Sequence, residues 1–259
     1  SRNGDLVSKV YVNFPGTSAT DGSAAIKEVE LEIGGQRIDR HYQEWNEVWN
    51  ELTTPESKAI GLKSMQRCIG GAGTGVTNVQ VPLNFWFCRN PGLALPLIAL
   101  QYHEVKMKFT WGDVVGPTPV PTVYCDYIYL DTDERRRFAQ VSHEYLIEQL
   151  QREEKTGATN SEVSHKLNFN HPVKELIWTS DAGDTLSKVK LTLNGHDRFS
   201  EQEEEYFSLR QPFDYHTAVP KQNLPAAARV SVLDRQTTFA VPTSMASALQ
   251  VEGAAAQVA

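Results

Sequence analysis

Cysteine is scarce in this sequence, and its distribution argues against a disulfide framework. Of the 259 residues only Cys68, Cys88 and Cys125 are cysteines. No two of them form a C-x-x-C pair, and an odd count leaves at least one thiol unpaired. Free thiols fit a reducing compartment such as the cytosol. Cys88 and Cys125 lie in strongly apolar stretches, so we predict that both are small core residues.

Long apolar runs and N-linked glycosylation signals are also missing. The longest apolar stretch, residues 93–100, contains Pro96 and is shorter than a transmembrane helix. Because of this proline, we do not expect the stretch to form one regular element. No N-x-[ST] sequon occurs, so N-linked glycosylation through the usual acceptor is not expected.

An excess of positive charge is absent. The formal net charge is −7, and the only dense basic run is Arg135–Arg137, which follows Asp131, Asp133 and Glu134. A protein that binds the nucleic-acid backbone usually carries a basic stripe. We therefore predict no direct nucleic-acid binding, and we interpret the run as a solvated or interface face.

Catalytic and cofactor signatures are absent from the sequence as well. His103-Glu104 and His143-Glu144 both lack the second histidine of an H-E-x-x-H zinc site. No G-x-S-x-G nucleophile elbow occurs. The glycines of residues 70–75 are not followed by the Lys-Ser/Thr of a phosphate loop, so we predict a flexible loop. We expect no enzyme, no cofactor and no metal site.

What the sequence does contain is a series of short strands. Residues 29, 31 and 33 are apolar and alternate with glutamates, which is typical of a half-buried strand, and Gly34-Gly35 then signals a hairpin turn. Short strands punctuated by Gly and Pro, without regular helices between them, predict an all-β sandwich or barrel. The predicted strands lie within Lys9–Phe14, Val29–Ile33, Val79–Cys88, Tyr102–Trp111 and Val123–Leu130.

Two segments have helical spacing. Tyr42–Leu52 places Trp45, Val48, Trp49 and Leu52 on one face. Ser142–Gln151 is the other predicted helix, with Ser142 as a half-formed cap. Its apolar stripe consists of Tyr145, Leu146 and Leu150. The polar residues 152–164 that follow predict a linker or exposed loop.

An internal repeat crosses that linker. KEVELEIGG (Lys27–Gly35) aligns with SKVKLTLNG (Ser187–Gly195) at a constant offset of 160 residues. Chance alternation is one explanation. Duplication is favoured because each copy leads into a Glu-rich aromatic segment. It predicts two similar β domains, residues 1–140 and 164–259, joined by a linker with a short helix at residues 141–163.

Five ordered blocks carry a family resemblance. They are Ile33–Thr53, Val81–Lys106, Asp126–Gln151, Leu167–Trp178 and the weaker Leu193–Glu201. The second block includes the stretch PLNFWFCRNPGLALPLIALQYHEVK. These blocks resemble the double jelly-roll major capsid proteins of nucleocytoplasmic large DNA viruses, the phycodnavirus and iridovirus group. The resemblance covers roughly residues 4–220.

The resemblance implies a structural virion protein made of two tandem eight-stranded jelly rolls, with short helices in loops and linker. It implies homotrimers that form pseudo-hexagonal capsomers of an icosahedral shell, near an internal membrane. The implied partners are further copies of the chain, neighbouring capsomers and minor capsid proteins. The implied location is the virion, after assembly in the host cytoplasm.

The ends of the sequence depart from the family pattern. Family members carry a further strand before the Asn3–Asp5 region, and their closing strands are not recognisable after Pro220. We therefore expect the first jelly roll to lack its N-terminal strand and the second to have an atypical or incomplete C-terminal part, so that the chain is either a fragment or a divergent relative.

The candidate interface residues lie in two places. Large aromatics on the first predicted helix belong either to the core or to an interface. The arginine run either pairs with carboxylates across a trimer contact or forms a plain surface cluster. Residues 93–100 pack in the core or under a subunit contact, with a membrane-touching loop as the alternative. The candidates are Trp45, Trp49, Arg135, Arg136 and Arg137.

Two other functions fit a jelly roll. A carbohydrate-binding or cell-attachment module would require an exposed aromatic platform on a loop. A cupin-type enzyme would require histidines close in sequence on adjoining strands, which the sequence lacks.

Overall fold

The computed structural model describes residues 3–15, 22–66, 78–112, 120–154, 164–179 and 187–219. The chain divides into two compact units. The first comprises Ser1–Glu47 and Thr77–Glu204, and the second Val48–Val76 and Glu205–Ala259. The predicted glycine loop at residues 70–75, Cys68 and the linker residues 155–163 lie outside the described residues.

The described chain contains more strand than helix in its first unit. The strands are β1 (Leu6–Phe14), β2 (Ile26–Ile33), β3 (Gln36–Tyr42), β4 (Val79–Pro82), β5 (Leu95–Pro96), β6 (Val105–Trp111), β7 (Thr122–Ile128), β8 (Lys188–Val189), β9 (Thr192–Leu193), β10 (His196–Asp197) and β11 (Gln202–Glu203). The helices are α1 (Gly22–Ala25), α2 (Gln43–Thr53), α3 (Glu56–Met65), α4 (Trp86–Arg89), α5 (Thr132–Gln140) and α6 (Gln211–Tyr215). A short 3₁₀ turn covers Pro91–Leu93, and a π-helical turn covers Tyr206–Arg210.

Two antiparallel sheets form the first unit. In one, β1 is central, with β7 on one side and β4 and β5 on the other. In the other, β2 is central between β3 and β6. In the described chain, β8 pairs with β11 and β9 with β10. This antiparallel architecture agrees with the predicted all-β fold class.

A bulge in β1 aligns its side chains with the core. The register against β7 shifts between Val7 and Lys9, which inserts one extra residue. Beyond the bulge Val10, Val12 and Phe14 all point inward and are buried. Without the bulge, Val7 and Val10 would lie on opposite faces of the sheet.

Side chains of both sheets form one core cluster. It joins buried valines of β1 and β4 to Val29 and Leu31 of β2 and to the aromatic residues that follow β4. Phe14 of one sheet packs edge-on against Trp111 of the other, with ring centroids 5.6 Å apart. His41 of β3 stacks on Phe85 at 4.4 Å. These contacts hold the two sheets together as a sandwich.

The same turn closes two hairpins that are 160 residues apart. Gly34 and Gly35 join β2 to β3 with φ of 60° and 84°, and Asn194 and Gly195 join β9 to β10 with φ of 53° and 79°. Two successive left-handed residues are the requirement of a two-residue hairpin turn, which explains Gly and Asn at these positions. The repeat is therefore visible in local backbone geometry. The division into two equivalent domains stays a prediction.

The outer face of the β3-β2-β6 sheet is a ladder of opposite charges. Glu28, Glu30 and Glu32 form the central column on β2. Arg40 bridges Glu28 at 3.1 Å and also pairs with Glu30, and Lys108 pairs with Glu32. Cross-strand pairs of this kind fix the register in which the strands align.

The predicted helix at Ser142–Gln151 is wrong. These residues form neither helix nor strand. Half-buried His143, Tyr145 and Ile147 alternate with exposed residues, a period of two rather than 3.6. Leu146, which the predicted stripe contains, is 92% exposed, whereas Ile147 packs against the core. Hydrogen bonds to distant residues, described below, replace the helical ones.

Other sequence predictions met mixed outcomes. The helix over Tyr42–Leu52 is confirmed as α2, but α3 and α5 were not predicted. The strand over Val79–Cys88 ends at Pro82, and α4 follows. Residues 93–100 form no single element, as expected.

Cys88 and Cys125 are free thiols that pack against the core cluster. Burial raises the pKa of Cys88 to about 12 and also raises the pKa of Cys125. Both thiols are therefore protonated and poorly nucleophilic at neutral pH.

Phe85 is fully buried between His41 and Phe87, so Phe85→Ala should lower the free energy of unfolding by about 3–5 kcal/mol. Leu146→Ala is the matched control, because that side chain is mostly exposed, and it should cost less than about 0.5 kcal/mol. Denaturant unfolding measures both. Equal losses for the two variants would contradict the placement of these residues.

The charge ladder predicts how stability depends on pH. Burial raises the pKa of Glu30, but hydrogen bonds and charges from Arg40 and Arg37 outweigh it and hold the pKa below its ordinary 4.5. A lowered carboxyl pKa stabilises the fold above its unfolded value, and this contribution disappears as pH falls through the folded value. The difference in unfolding free energy between wild type and Glu30→Gln should therefore be constant above about pH 5.5 and shrink below about pH 4.5.

Denaturant titrations at several pH values test this expectation. Glu134→Gln, which alters an exposed carboxylate on α5, serves as the control and should show no such trend. A difference for Glu30→Gln that grows on acidification would be inconsistent with the ladder.

Candidate functional site

Residues 142–154, here called the strap, lie against the edge strand β3 and are held there by a buried carboxylate. Asp39 occupies a core-facing position on β3, opposite Leu31 of β2. Its Oδ1 accepts hydrogen bonds from the Arg40 amide at 2.9 Å and from the Leu150 amide at 3.0 Å. Because Leu150 is 111 residues away in sequence, this single carboxylate joins the strap to the edge strand β3.

A buried histidine completes the surroundings of Asp39. His41 Nε2 lies 2.9 Å from Asp39 Oδ2, and both side chains are almost wholly buried. The imidazole stacks on Phe85, which fixes its plane. Asp39 and His41 therefore contact each other at two inward positions of one strand, and Asp39 Oδ1 is also bonded to the strap. Burial without such partners would cost several kcal/mol. The other imidazole nitrogen, Nδ1, is buried and has no hydrogen-bond partner among the described residues.

Ion pairs fix the next part of the strap. Glu148 pairs with both Arg89 of α4 and Lys174. Burial raises the pKa of Glu148, but Lys174 and Arg89 outweigh it and lower the pKa below its ordinary value. The carboxylate is therefore ionised at neutral pH and bridges two cations. The Gln149 side chain also donates to the Ile38 carbonyl on β3.

The strap continues by pairing with residues 167–174. Gln151 and Asn170 exchange two hydrogen bonds: the Gln151 amide group donates to the Asn170 carbonyl at 2.7 Å, and Asn170 N–H donates to Gln151 Oε1 at 2.9 Å. Asn168 N–H donates to Glu153 at 3.0 Å. The contacts step in opposite directions along the two segments, so the segments run antiparallel. Side chains here replace the backbone ladder of an ordinary strand pair.

One of the candidate interface residues joins helix α5 to Asp5, the residue before β1. Arg135 Nη2 lies 2.9 Å from Asp5 Oδ2, which also accepts the Leu130 amide at 2.8 Å. The Leu130 amide and then the Arg135 guanidinium lower the pKa of Asp5. Arg135 therefore has a partner within its own chain. A surface cleft of about 250 Å³ adjoins this contact, between Asp5, Arg135 and Tyr129.

The other two arginines of the run are exposed. Among the residues that the structure describes, the one ion-pair partner of Arg136 is Asp133, at a long 3.6 Å. Arg137 makes no ion pair with any residue in the described part of the chain. The structure thus separates the triplet into one residue that anchors the helix and two that face solvent.

The two tryptophans are half-buried on α2. The indole of Trp45 lies 6.1 Å from the His41 ring. In the second unit, Trp49 makes an edge-on contact with His216 at 6.4 Å. Neither side chain is fully inside the core, so the choice between core and interface stays open.

Core-facing side chains are partly exposed along the outermost strands of the first unit. Val123 on β7 is paired with Val12 on β1 and therefore points to the same face. Val12 is 0% exposed, whereas Val123 is 45% exposed. Met107 and Phe109 of β6, opposite buried Leu31 and Val29, are only half-buried. Apolar surface of this kind favours association.

Among residues 3–15, 22–66, 78–112, 120–154, 164–179 and 187–219, no group of three His, Cys, Asp or Glu side chains is placed to hold a metal ion. None of the helices in these ranges is long and apolar enough to cross a membrane.

Sequence reasoning missed the contacts of Asp39, Glu148 and Asp5. One signal was available for Asp39 and His41. They occupy alternate positions of β3 that face the core, where polar residues need specific partners. Their partners could not be read from the sequence, because these lie in distant segments.

Comparisons with known proteins agree with this architecture. Residues 1–131, just over half of the chain, match the family model described as major capsid protein N-terminus. Residues 134–183 match the model described as large eukaryotic DNA virus major capsid protein.

Individual relatives and a solved structure point the same way. The major capsid protein of Pyramimonas orientalis virus is 51% identical over 85% of this chain and 62% of its own length. That of Paramecium bursaria Chlorella virus 1 is 36% identical over 82% of this chain and 64% of its length. A chain in a quasi-atomic model of the PBCV-1 virus capsid is 34% identical, with a TM-score of 0.68, over 85% of this chain and 70% of its own.

These matches define the class as viral coat proteins. The chain belongs to the family of major capsid proteins of large eukaryotic DNA viruses. It spans a little over three fifths of the length of the two curated relatives.

Asp39→Ala should release the strap and lower the free energy of unfolding by about 1–3 kcal/mol, because buried donors lose their acceptor. Hydrogen exchange at residues 147–151 should accelerate relative to the wild type, and by more than exchange in β1 does. Asp133→Ala is the control, because its carboxylate is 89% exposed, and it should leave both quantities unchanged. Unaltered exchange in Asp39→Ala would contradict the anchoring role of Asp39.

Proposed function

We propose that this chain is the shell-building part of a structural virion protein, which self-assembles into homotrimeric, pseudo-hexagonal capsomers of an icosahedral capsid. The observation that carries the proposal is the structural likeness to a virus capsid chain at 34% identity. The mechanism is binding between copies, without a chemical step.

The partly exposed core-facing residues of β6 and β7 support self-association. Half-exposed Val123, Met107 and Phe109 continue the core outward, so covering them removes apolar surface from water. Interfaces between obligate partners typically bury above about 2,000 Å² and are apolar at their centres. These half-exposed residues supply apolar surface of the kind found at the centre of such an interface.

Two tandem jelly rolls are the architecture that we propose for the chain. The first comprises residues 1–140 and the second residues 164–259, with residues 141–163 between them. The matching turns at Gly34-Gly35 and Asn194-Gly195 support the duplication, since both close a hairpin in the same way.

Different observations support the individual candidate interface residues. Trp45 and Trp49 are half-buried aromatics, a kind of residue that contributes strongly to binding. Arg136 and Arg137 extend from α5 into solvent, whereas Arg135 supports the helix from within.

A protein that forms a shell also contacts other components of the virion. We propose that neighbouring capsomers and minor capsid proteins contact this protein in the virion, near an internal membrane, after assembly in the host cytoplasm. No catalytic role and no direct contact with nucleic acid belong to this proposal.

A carbohydrate-binding or cell-attachment module is the second candidate. Its supporting observation is Tyr102, whose side chain is 95% exposed in the turn between β5 and β6. A sugar platform usually requires more than one aromatic on the same loop. Glycan-array binding by the trimeric protein would favour this second function.

The full-length protein that contains this chain should be a trimer in solution. Light scattering coupled to size-exclusion chromatography should give three times the monomer mass, because the partly exposed apolar residues favour association. Phe85→Ala, which damages the core, should also reduce the trimer fraction. A mass that remains monomeric at high concentration, for folded full-length protein, would refute the proposed self-assembly.

A further inference from the structure

Helix α5 is unusual because it is ordered without being buried. None of the residues of Thr132–Gln140 is buried. An isolated helix of this length is only marginally stable in water, so most such helices depend on packing. Within the described chain, Arg135 ties it to Asp5, and His143 Nε2 contacts the Phe138 carbonyl at 2.9 Å.

The attachment through Arg135 decides which residues face outward. Successive residues of a helix are about 100° apart around its axis. With Arg135 directed to Asp5, Arg136 and Arg137 lie about 100° and about 200° further round the helix, and both are exposed. The long pair between Arg136 and Asp133 is exposed on both sides, and such pairs contribute little. The helix therefore presents two adjacent guanidinium groups to solvent.

A matching pair of carboxylates occurs elsewhere in the chain. In the described ranges, every other pair of adjacent acidic residues has at least one member in an ion pair. Glu204 and Glu205 are the exception, because neither of them makes one. The neighbouring Glu201 and Glu203 are both engaged by Lys188, at 3.4 Å and 3.3 Å. Two adjacent arginines and two adjacent glutamates are thus available for pairing. The chain as a whole is acidic, with a net charge of −7, so an exposed arginine pair complements the surface of another copy.

We propose that Arg136 and Arg137 of one copy bind Glu204 and Glu205 of a second copy across the trimer contact. This inference rests on the proposed self-assembly and names the charges that orient it. Guanidinium groups bind carboxylates with two parallel hydrogen bonds, so the contact sets direction as well as attraction. In a closed ring of three, each copy supplies the arginines to one neighbour and the glutamates to the other.

The experiment uses the full-length protein and four variants. R136E/R137E and E204R/E205R each create like charges across the contact. The four-residue exchange of both pairs restores opposite charges. K27E/K58E reverses two exposed lysines elsewhere and serves as the control. Sedimentation velocity at low and at high salt measures the trimer fraction, and far-ultraviolet circular dichroism measures folding.

Each double reversal should weaken trimer association by about tenfold or more at low salt, and the control should not. The four-residue exchange should restore association, which a loss of folding in either double variant would prevent. Normal trimers in either double reversal, or no recovery in the exchange, would overturn the inference. A wild-type protein that forms no trimers would instead refute the proposed function.

Discussion

The buried carboxylate of Asp39 is the contact on which the rest of the first unit depends. It lies on the core face of β3, where an unpaired charge would be costly. Its partners are the backbone of its own strand, His41 beside it and the Leu150 amide from the strap. The strap is thereby fixed along one edge of the β3-β2-β6 sheet. The strap in turn carries Glu148 and Gln151, which position residues 170–174.

The strap contacts the edge strand β3, and the edge strands β6 and β7 differ from it in the exposure of their core-facing residues. The strap contacts the β3 edge through Gln149 and Leu150. Along β6 and β7, core-facing residues such as Val123 stay partly exposed. Edge strands are the natural places for further pairing and association. The partly exposed apolar residues of β6 and β7 favour association, which agrees with membership of a capsid protein family.

Local signals made much of the first unit predictable. Alternation at Val29–Ile33 and the glycine pair after it identified the β2–β3 hairpin, because the period of a strand and the demands of its turn are both local. Helix α2 followed from the spacing of its tryptophans. Helix α5 was missed because it is charged all round and has no apolar stripe to detect.

The candidate site was only partly predictable. The strap was mistaken for a helix because Tyr145, Leu146 and Leu150 fit a 3.6-residue period, whereas its conformation is decided by Asp39 and Arg89 in distant segments. The sequence predicted that Arg135–Arg137 forms a solvated or interface face. That one of its members anchors the helix to Asp5 is a tertiary fact, without any local signature. Side-chain partners at long range are therefore the information that the sequence alone withheld.

The central claim is that this sandwich is a building block of a viral shell. An electron cryo-microscopy reconstruction of particles assembled from the full-length protein tests it most directly. We expect three copies around each local threefold axis, each with the β1–β7 sandwich and the strap against β3. A shell whose density does not accommodate this sandwich, or a folded protein that forms no particles, would contradict the account.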